Sequence, residues 1–275
     1  MAHSQAEKGV FKAVKKDKTL YFRASLTYRG KHISLGSFDC ESDAHAAYLE
    51  GTRLLSDSAV TLLSYQASSP LSFEKWVILL NFRDHSIYFG KPIYLGQKMF
   101  YYYLSQNLIL KFDLDDLFYF SSHKIMCRGR HFFVADYGMQ VNIANRFGIK
   151  NYAVQGRDYC FINGDPMDFR RVNIKILNTY HGVSEIQKGG QLLYAARIHI
   201  KGNYLIGRYA TPLEAAIAYN KAIDLLKEKG YDRNYQPNYI DGLSPKTYAE
   251  VYSQVRLSHK LRSFDPFISP KSQQS

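Results

Sequence analysis

The chain has 275 residues, 46 % of them hydrophobic and 22 % charged, enough apolar content to give cores to two or three compact units and to fold almost throughout. Its 36 Lys and Arg against 24 Asp and Glu leave a net charge of +12, which favours a polyanion or an anionic surface as partner. Three scattered cysteines, Cys40, Cys127 and Cys160, argue against a disulfide framework or a zinc finger and for a reducing compartment. The first residues hold no apolar leader, and the run Trp76-Val77-Ile78-Leu79-Leu80 is far short of the roughly 20 residues that span a bilayer, so a soluble, unexported protein without membrane partners is expected.

The chain opens with a segment that later recurs. Gly9-Val10 begins a short strand, and a second strand alternates Phe22, Ala24 and Leu26 on one face with Arg23, Ser25 and Thr27 on the other. Arg29-Gly30 reads as a tight turn, with the glycine supplying positive φ, and leads to a third strand containing His32 and Ser34. A helix follows whose inward stripe is Ala44, Ala47, Tyr48, Gly51 and Leu55. Cys40 stands where its capping residue belongs, so this helix must borrow a cap, from Asp39 for example, or fray. Residues 56–72, with several serines and Pro70, read as a linker.

Residues 66–180 alternate short aromatic-rich strands with turns. Their acidic stretch, Phe112 to Leu117, contains Asp113, Asp115 and Asp116 and reads as a solvated turn or helix start. Two motifs follow, QVNIANRFGIK at 140–150 and FINGDPMDFRRVNI at 161–174. From Gly182-Val183 the opening segment returns: Ala196 answers Ala24, Gly202 answers Gly30, Ile206-Gly207 answers Leu35-Gly36, and Ala218-Tyr219 answers Ala47-Tyr48. The loop-to-strand stretch is one residue shorter, with Lys201-Gly202-Asn203 marking the same turn. Thr211, Pro212 and Glu214 spell an N-cap, a first-turn proline and a capping box. The helix they start carries the stripe Ala215, Ala218, Tyr219, Ala222 and Leu226. Beyond it lie a turn-rich stretch, a short helix after Ser244-Pro245, and a basic tail in the last twenty residues expected to be poorly ordered.

Charge is uneven. Residues 1–34 carry eight basic and two acidic side chains, 124–175 nine and four, and 181–209 four and one. Each helix covers one face of its sheet, so Arg23, Ser25, His32 and Ser34 are expected on the open face of the first copy, and Arg197 and Asn203 on that of the second. A two- or three-stranded ribbon fits the major groove, where Arg pairs with guanine and Lys and Ser hold phosphates.

Both copies, GVFKAV…YFRASLTYRGKHISLGSFDCESDAHAAYLEG and HGVSEIQKGGQLLYAARIHIKGNYLIGRYATPLEAAIAYNKAI, resemble the plant ethylene-response-factor (Apetala-two type) DNA-binding domain and its bacterial and phage relatives. The resemblance implies a sheet laid in the major groove, with strand arginines and aromatics reading bases. Phe22 and Tyr194 stand where the family has Trp, Arg23 matches the first strand arginine and Arg197 the second, while Ser25 and Ala195 occupy the other places. With half the arginines in each copy, avidity from the linked pair matters more.

The middle motif resembles the His-Asn-His (HNH) homing endonucleases, keeping Asn163, Gly164, Asp165, Pro166, Asp168, Arg170, Arg171 and Asn173 of the family wording. In that family two strands and a helix hold one divalent metal, and a His activates the attacking water. Here Phe161 replaces the general-base His, Phe169 the central Asn, and Gln140-Val141 the upstream His-Arg, so no catalytic residue and no bound metal or other cofactor are expected. Asp165 and Asp168 also read as turn formers, and Arg128, Arg130, Arg170, Arg171 and Lys175 as phosphate-facing charge.

The expected fold class is α+β: two modules of a three-stranded antiparallel sheet plus a helix, at 1–58 and 179–240, flanking a ββα-metal, HNH-like middle at 73–178, with a short helix and flexible basic tail at 241–275. The expected activity is binding of double-stranded DNA by a monomer with tandem modules, as a regulator or an inactive relative of a mobile-element endonuclease. Its place would be the cytoplasm (the nucleoid or a phage-infected cell), or the nucleus of a eukaryote. The DNA-contacting set is Arg23, Ser25, Arg29, Lys31, His32, Ser34, Arg197, Lys201 and Asn203, with Arg128, Arg130, Arg170 and Arg171. The alternatives are an active nickase with a rearranged Mg or Mn site and an interaction protein that inhibits or mimics a nuclease.

Overall fold

The computed structural model describes residues 7–231 and 233–266. The chain forms two compact units, Met1–Phe147 with Asp165–Asn173 and Gly148–Gly164 with Ile174–Ser275. The class is α+β, built from small three-stranded antiparallel sheets and a few helices. The separation falls at 147/148 and inside the second motif, whereas the sequence predicts breaks at 58–73, 178–179 and 240–241.

In the first unit β1 (Val10–Val14), β2 (Leu20–Tyr28) and β3 (Lys31–Phe38) form an antiparallel sheet in that order. The β2–β3 hairpin turns on Arg29 (φ 48°) and Gly30 (φ 76°), two consecutive left-handed residues that match the twist of a two-residue hairpin. Helix α1 (Glu41–Ser56) covers one face, burying Ala44, Ala47 and Leu54 against Ala24, Leu26, Ile33 and Leu35. Its N-cap Cys40 makes no side-chain capping bond.

The segment read as a linker is packed. Val60 and Leu71 are buried, and the Trp76 indole donates to the Thr61 carbonyl at 3.2 Å. Its serines and proline signalled a loop, but its apolar residues sit under α2 (Phe73–His85), whose Trp76, Leu79, Leu80 and Phe82 extend the same core as α1. After α2 come β4 (Ile93–Leu95), β5 (Met99–Ser105) and β6 (Leu108–Asp113) in one sheet. A short helix α3 (Leu117–Ser122) leads to a second sheet of β7 (Met126–Arg128), β8 (His131–Asp136) and β9 (Met139–Asn142).

In the second unit β10 (Tyr159–Phe161) pairs with β11 (Ile174–Ile176). The repeat follows as β12 (Val183–Lys188), β13 (Gln191–His199) and β14 (Asn203–Tyr209) under α4 (Pro212–Glu228). The capping box is made: Glu214 N–H donates to Thr211 Oγ1 at 3.2 Å and Thr211 N–H to Glu214 Oε2 at 3.1 Å. The β13–β14 turn differs from its counterpart, for three residues, Ile200, Lys201 and Gly202, separate the strands and Gly202 has no positive φ. A three-residue connection follows a different backbone path from a two-residue one, so the glycine is not put in the left-handed region.

The repeat anchors turn out to touch. Gly9 (φ 80°) and Gly182 (φ 72°) lie under the rings of Tyr48 and Tyr219, and a Cβ would come within 1.9 Å of the first ring and 2.4 Å of the second. Both strands thus start where only glycine combines positive φ with that approach.

Residues 245–254 form the expected helix, α5 (Pro245–Gln254), capped by Ser244, and α6 (His259–Arg262) follows. The expected disordered tail is ordered through residue 266: Leu257, Leu261 and Phe264 are buried in the α4 core, and Ser258 N–H donates to the Ile206 carbonyl at 2.7 Å on the outer edge of β14. Leu, Leu and Phe at three-to-four spacing supply the apolar side that a count of its charges hid. The remainder of the predicted tail lies outside the described residues.

Candidate nucleic-acid interface

Register decides which side chains share the open face. Ala24 is fully buried against α1, so its neighbour Arg23 points away from the helix, opposite Phe11 on β1 and Ser37 on β3. Ser25 follows Arg23 on the open face by alternation, and a bulge at Ala24/Ser25 puts the extra β3 residue, Leu35, in the core, which brings Ser34 opposite Ser25 on the same face as Ser37. Arg23, Ser25, His32 and Ser34 thereby line one cleft of about 360 Å³ with Phe11. Arg23, His32 and Ser34 do not carry equal exposure with Ser25, which is only 8 % exposed at the floor. Thr27 Oγ1 lies 3.5 Å from His32 Nδ1 at one end. Among the described residues Arg23 has no ion pair.

Arg29 and Lys31 do not join this cleft. They sit at the hairpin turn, Arg29 bonded to Ser86 Oγ and lying over Tyr28, Lys31 over the Tyr88 ring at 5.2 Å. Phe22 and Tyr194, placed by family resemblance among base-reading aromatics, are packed against the two module cores on the helix side. Alternation with Ala24 and Ala196 leaves them no other side.

The second module repeats the bulge between Ala196 and Arg197, with Ile206 as the extra residue. Arg197 is exposed and donates to Ser184 Oγ at 2.9 Å, and His199 Nδ1 lies 3.2 Å from Asn203 Oδ1. These four line a cleft of about 290 Å³ that also includes Arg157 and His181. Burial, then the nearby Arg157 charge, holds the His181 imidazole below its ordinary value and so neutral at pH 7. Lys201 is exposed at the turn. Phe11, Ser184, His199 and Arg208 were not singled out by sequence; the cross-strand register that places them on the open faces is invisible to counting along one strand.

In the middle segment Arg128 and Arg130 are exposed at the β7–β8 turn, Arg128 over the Phe133 ring, and Gln140 is exposed on β9. The second motif is divided between units. Phe161, 8 % exposed on β10, and the exposed Asn163 belong to one; Asp165, Asp168, Phe169 and Asn173 belong to the other. There Asp165–Asn173 forms a strap against β6: Lys111 N–H donates to Met167 O, and Phe169 N–H to Lys111 O, each at 2.9 Å. Phe169 is buried among Phe112, Phe132 and Phe147. Lys111 bonds Asp165 at 2.8 Å, which lowers the carboxyl and raises the amine. Asp165 also accepts from Met167 N–H at 2.9 Å as a turn former.

Asp168, fully buried, accepts two bonds from the Arg170 guanidinium, at 2.8 and 2.5 Å, and the buried Asn173 donates to the Asp168 carbonyl at 2.9 Å. Arg170 is thus committed to a carboxylate and less available to phosphate than expected. Arg171 remains half-exposed beside Asp116 at 3.5 Å. No α-helix completes the motif: Arg171–Asn173 is a single 3-10 turn, and the alternating Ile174 and Ile176 then pair as β11 with β10. The expected ββα arrangement is replaced here by strand, 3-10 turn and strand. The acidic stretch is the helix start of the two readings, leading through a 3-10 turn into α3; Asp115 is exposed, but Asp116 is fully buried with Arg146 Nε at 2.5 Å, and Asp113 accepts from Arg171 N–H at 2.8 Å. Arginines from distant segments, invisible in local composition, provide the partners.

Among the described residues no group of three or more His, Cys, Asp or Glu is placed to hold a metal ion, and no helix is long and apolar enough to cross a membrane. No family model matches the chain, and no curated protein or solved structure matches it.

Proposed function

We propose that this protein binds double-stranded DNA through the open faces of its two repeated sheets, without chemistry of its own. The observation that carries the reading is the grouping of Arg23, Ser25, His32 and Ser34 in one cleft, on the only face of the first sheet that α1 leaves open. Guanidinium, hydroxyl and imidazole on a strand face suit base edges and phosphates in a major groove. The second sheet offers Arg197, His199 and Asn203 on its own open face. A net charge of +12 supplies the non-specific attraction that brings such a face to a duplex.

The same proposal treats the chain as an inactive relative of an HNH endonuclease retained for binding, its middle lacking the helix of that arrangement. Phe161 has no lone pair with which to accept a proton, and Asp168 spends its oxygens on Arg170. Exposed Arg128 and Arg130 add phosphate-facing charge.

Selection of bound sequences from a random duplex library, followed by mobility shifts on the winners, tests this reading. Affinity is expected to fall steeply with salt, and Arg23→Ala with Arg197→Ala to weaken binding and relax sequence preference. Unchanged binding by the double variant would remove the groove-reading assignment. Supercoiled plasmid nicked in Mg²⁺ or Mn²⁺, with the product lost in Asn173→Ala, would replace it by the nickase reading.

A further inference from the structure

We infer that Arg208 does in the second sheet what Arg23 does in the first, moved across one strand, so that the preferred duplex contains two unlike half-sites. This inference rests on the duplex-binding reading. Its basis is the pairing register. Arg23 on β2 faces Ser37 on β3, whereas at the matching place Ala195 on β13 faces Arg208 on β14. Opposite residues of an antiparallel pair share a face with Cβ atoms about 5 Å apart, less than the length of an arginine side chain. A guanidinium can therefore reach the same patch from either strand.

The neighbourhood supports the exchange. Ala24 and Ala196, next along the strand, are both fully buried in their module cores, so Arg23 and Ala195 point away from the helices, and Arg208 with them; Ala195 itself is fully covered, while Arg208 beside it is exposed. Arg208 is exposed and, like Arg23, has no ion pair among the described residues, while Arg53, Arg83, Arg146, Arg157 and Arg170 each hold a carboxylate. The second sheet thus retains two open-face arginines, Arg197 and Arg208. Only Arg197 of the two lies on the strand that matches β2.

The surroundings of the two arginines differ, and that predicts unlike targets. Arg23 is flanked by Ser25, Ser34 and His32, whereas the second face has Arg197 where the first has Ser25, and Asn203 where it has His32. Arginine pairs best with guanine O6 and N7, and asparagine with adenine N6 and N7. The second half-site is expected to be richer in direct purine contacts than the first.

The experiment selects bound duplexes from a random library with the wild-type protein, R23A, R208A and R208K, and measures the affinity of each for the wild-type winner. Melting temperature serves as a folding check, which an exposed side chain without an ion pair should pass. Wild type is expected to enrich a site with two unlike parts. R208A should lose preference in one part and bind roughly 10-fold or more weakly, while R23A should lose preference in the other. R208K should keep the salt slope but not the preference, because a lysine is a point charge without the bidentate fork. Enrichment by R208A of the unchanged site, at an affinity within twofold of wild type, overturns the inference alone. So does wild-type preference in R208K, which would reduce Arg208 to a phosphate contact. A wild-type protein that enriches no duplex overturns the duplex reading and this inference with it.

Discussion

Helix α4 begins at Thr211 with a reciprocal capping box and first-turn proline, and α1 begins at Cys40 with no side-chain bond. The open face below α4 carries Arg197 and Arg208, and the one below α1 carries Arg23 with serines on either side. Yet both copies keep a bulge at the same place, a positive-φ glycine under a helix tyrosine, and a stripe of buried alanines. What the copies share is what brings helix and sheet together; what they do not share lies at helix ends, hairpin tips and the open face. A repeated module can therefore change its finish and its open face without losing its fold, provided the close contacts stay.

The contact between glycine and tyrosine gives the strongest way to break that comparison. Gly182→Ala would press a Cβ to 2.5 Å from the Arg197 carbonyl oxygen as well as 2.4 Å from the Tyr219 ring, whereas Gly9→Ala meets the Tyr48 ring. Left-handed strain and overpacking together should cost about 3 kcal/mol at Gly182 and about 2 kcal/mol at Gly9, where a side chain can yield and a backbone cannot. Amide exchange in α4 and α1 would read each loss locally. A Gly9→Ala protein with unchanged protection in α1 would mean that the shared glycine is not a fold requirement.

A latch in the second copy, without a counterpart in the first among the described residues, comes next. Asn238, buried, donates to the His181 carbonyl at 3.1 Å and accepts from His181 N–H at 2.7 Å, while Asn220 Oδ1 receives Asn238 N–H at 2.7 Å. The α1 residue matching Asn220 is Leu49, which is 54 % exposed. Asn238→Ala should destabilise by about 2 kcal/mol by leaving buried backbone groups unpaired, and Leu49→Ala should be neutral within about 0.5 kcal/mol. Denaturant titration distinguishes them. Equal effects would show that the first copy has a second anchor of its own.

The caps predict a smaller, opposite pair. Thr211→Ala should cost about 1 kcal/mol, and Cys40→Thr should add about as much by giving α1 the bond it lacks. Thermal melts check both: Thr211→Ala should melt below wild type and Cys40→Thr above it, and a Cys40→Thr protein melting no higher than wild type would show that α1 gains nothing from a cap.

Legibility in the sequence followed the range of the interaction. The α4 start is local, so Thr211, Pro212 and Glu214 announced it, and the alanine stripes at three-to-four spacing announced both amphipathic helices. The repeat itself was visible, but not that its glycines and tyrosines meet. The strap at 165–173 pairs with Lys111, and Lys111 and Asp165 are 54 residues apart, so no local pattern could reveal it. Arg208 escaped for a related reason: alternation along β13 shows the face of Ala195 but not which β14 residue stands beside it. Serines at 56–72 and charges after 255 dominate the local composition, whereas a few apolar residues, Val60, Leu71, Leu257 and Leu261, bury both segments.

The smallest expected difference between the copies is one of pH. His181 lies where the first copy has Lys8, stacked edge-on between Tyr152 and Tyr219, with Nδ1 buried and lacking a hydrogen-bond partner among the described residues. Burial, reinforced by Arg157 and only partly offset by Asp158, depresses its pKa. A depressed histidine resists a proton that the unfolded chain accepts, so its contribution is full above the unfolded value of about 6.5 and is lost as pH falls toward the folded value. Acidification from pH 7.5 to 5.5 should therefore loosen α4 more than α1, as read by amide exchange corrected for its intrinsic rate, and His181→Gln should flatten the difference. Equal loosening in both helices would mean that titration elsewhere governs this window and that the lysine-for-histidine exchange between the copies is silent.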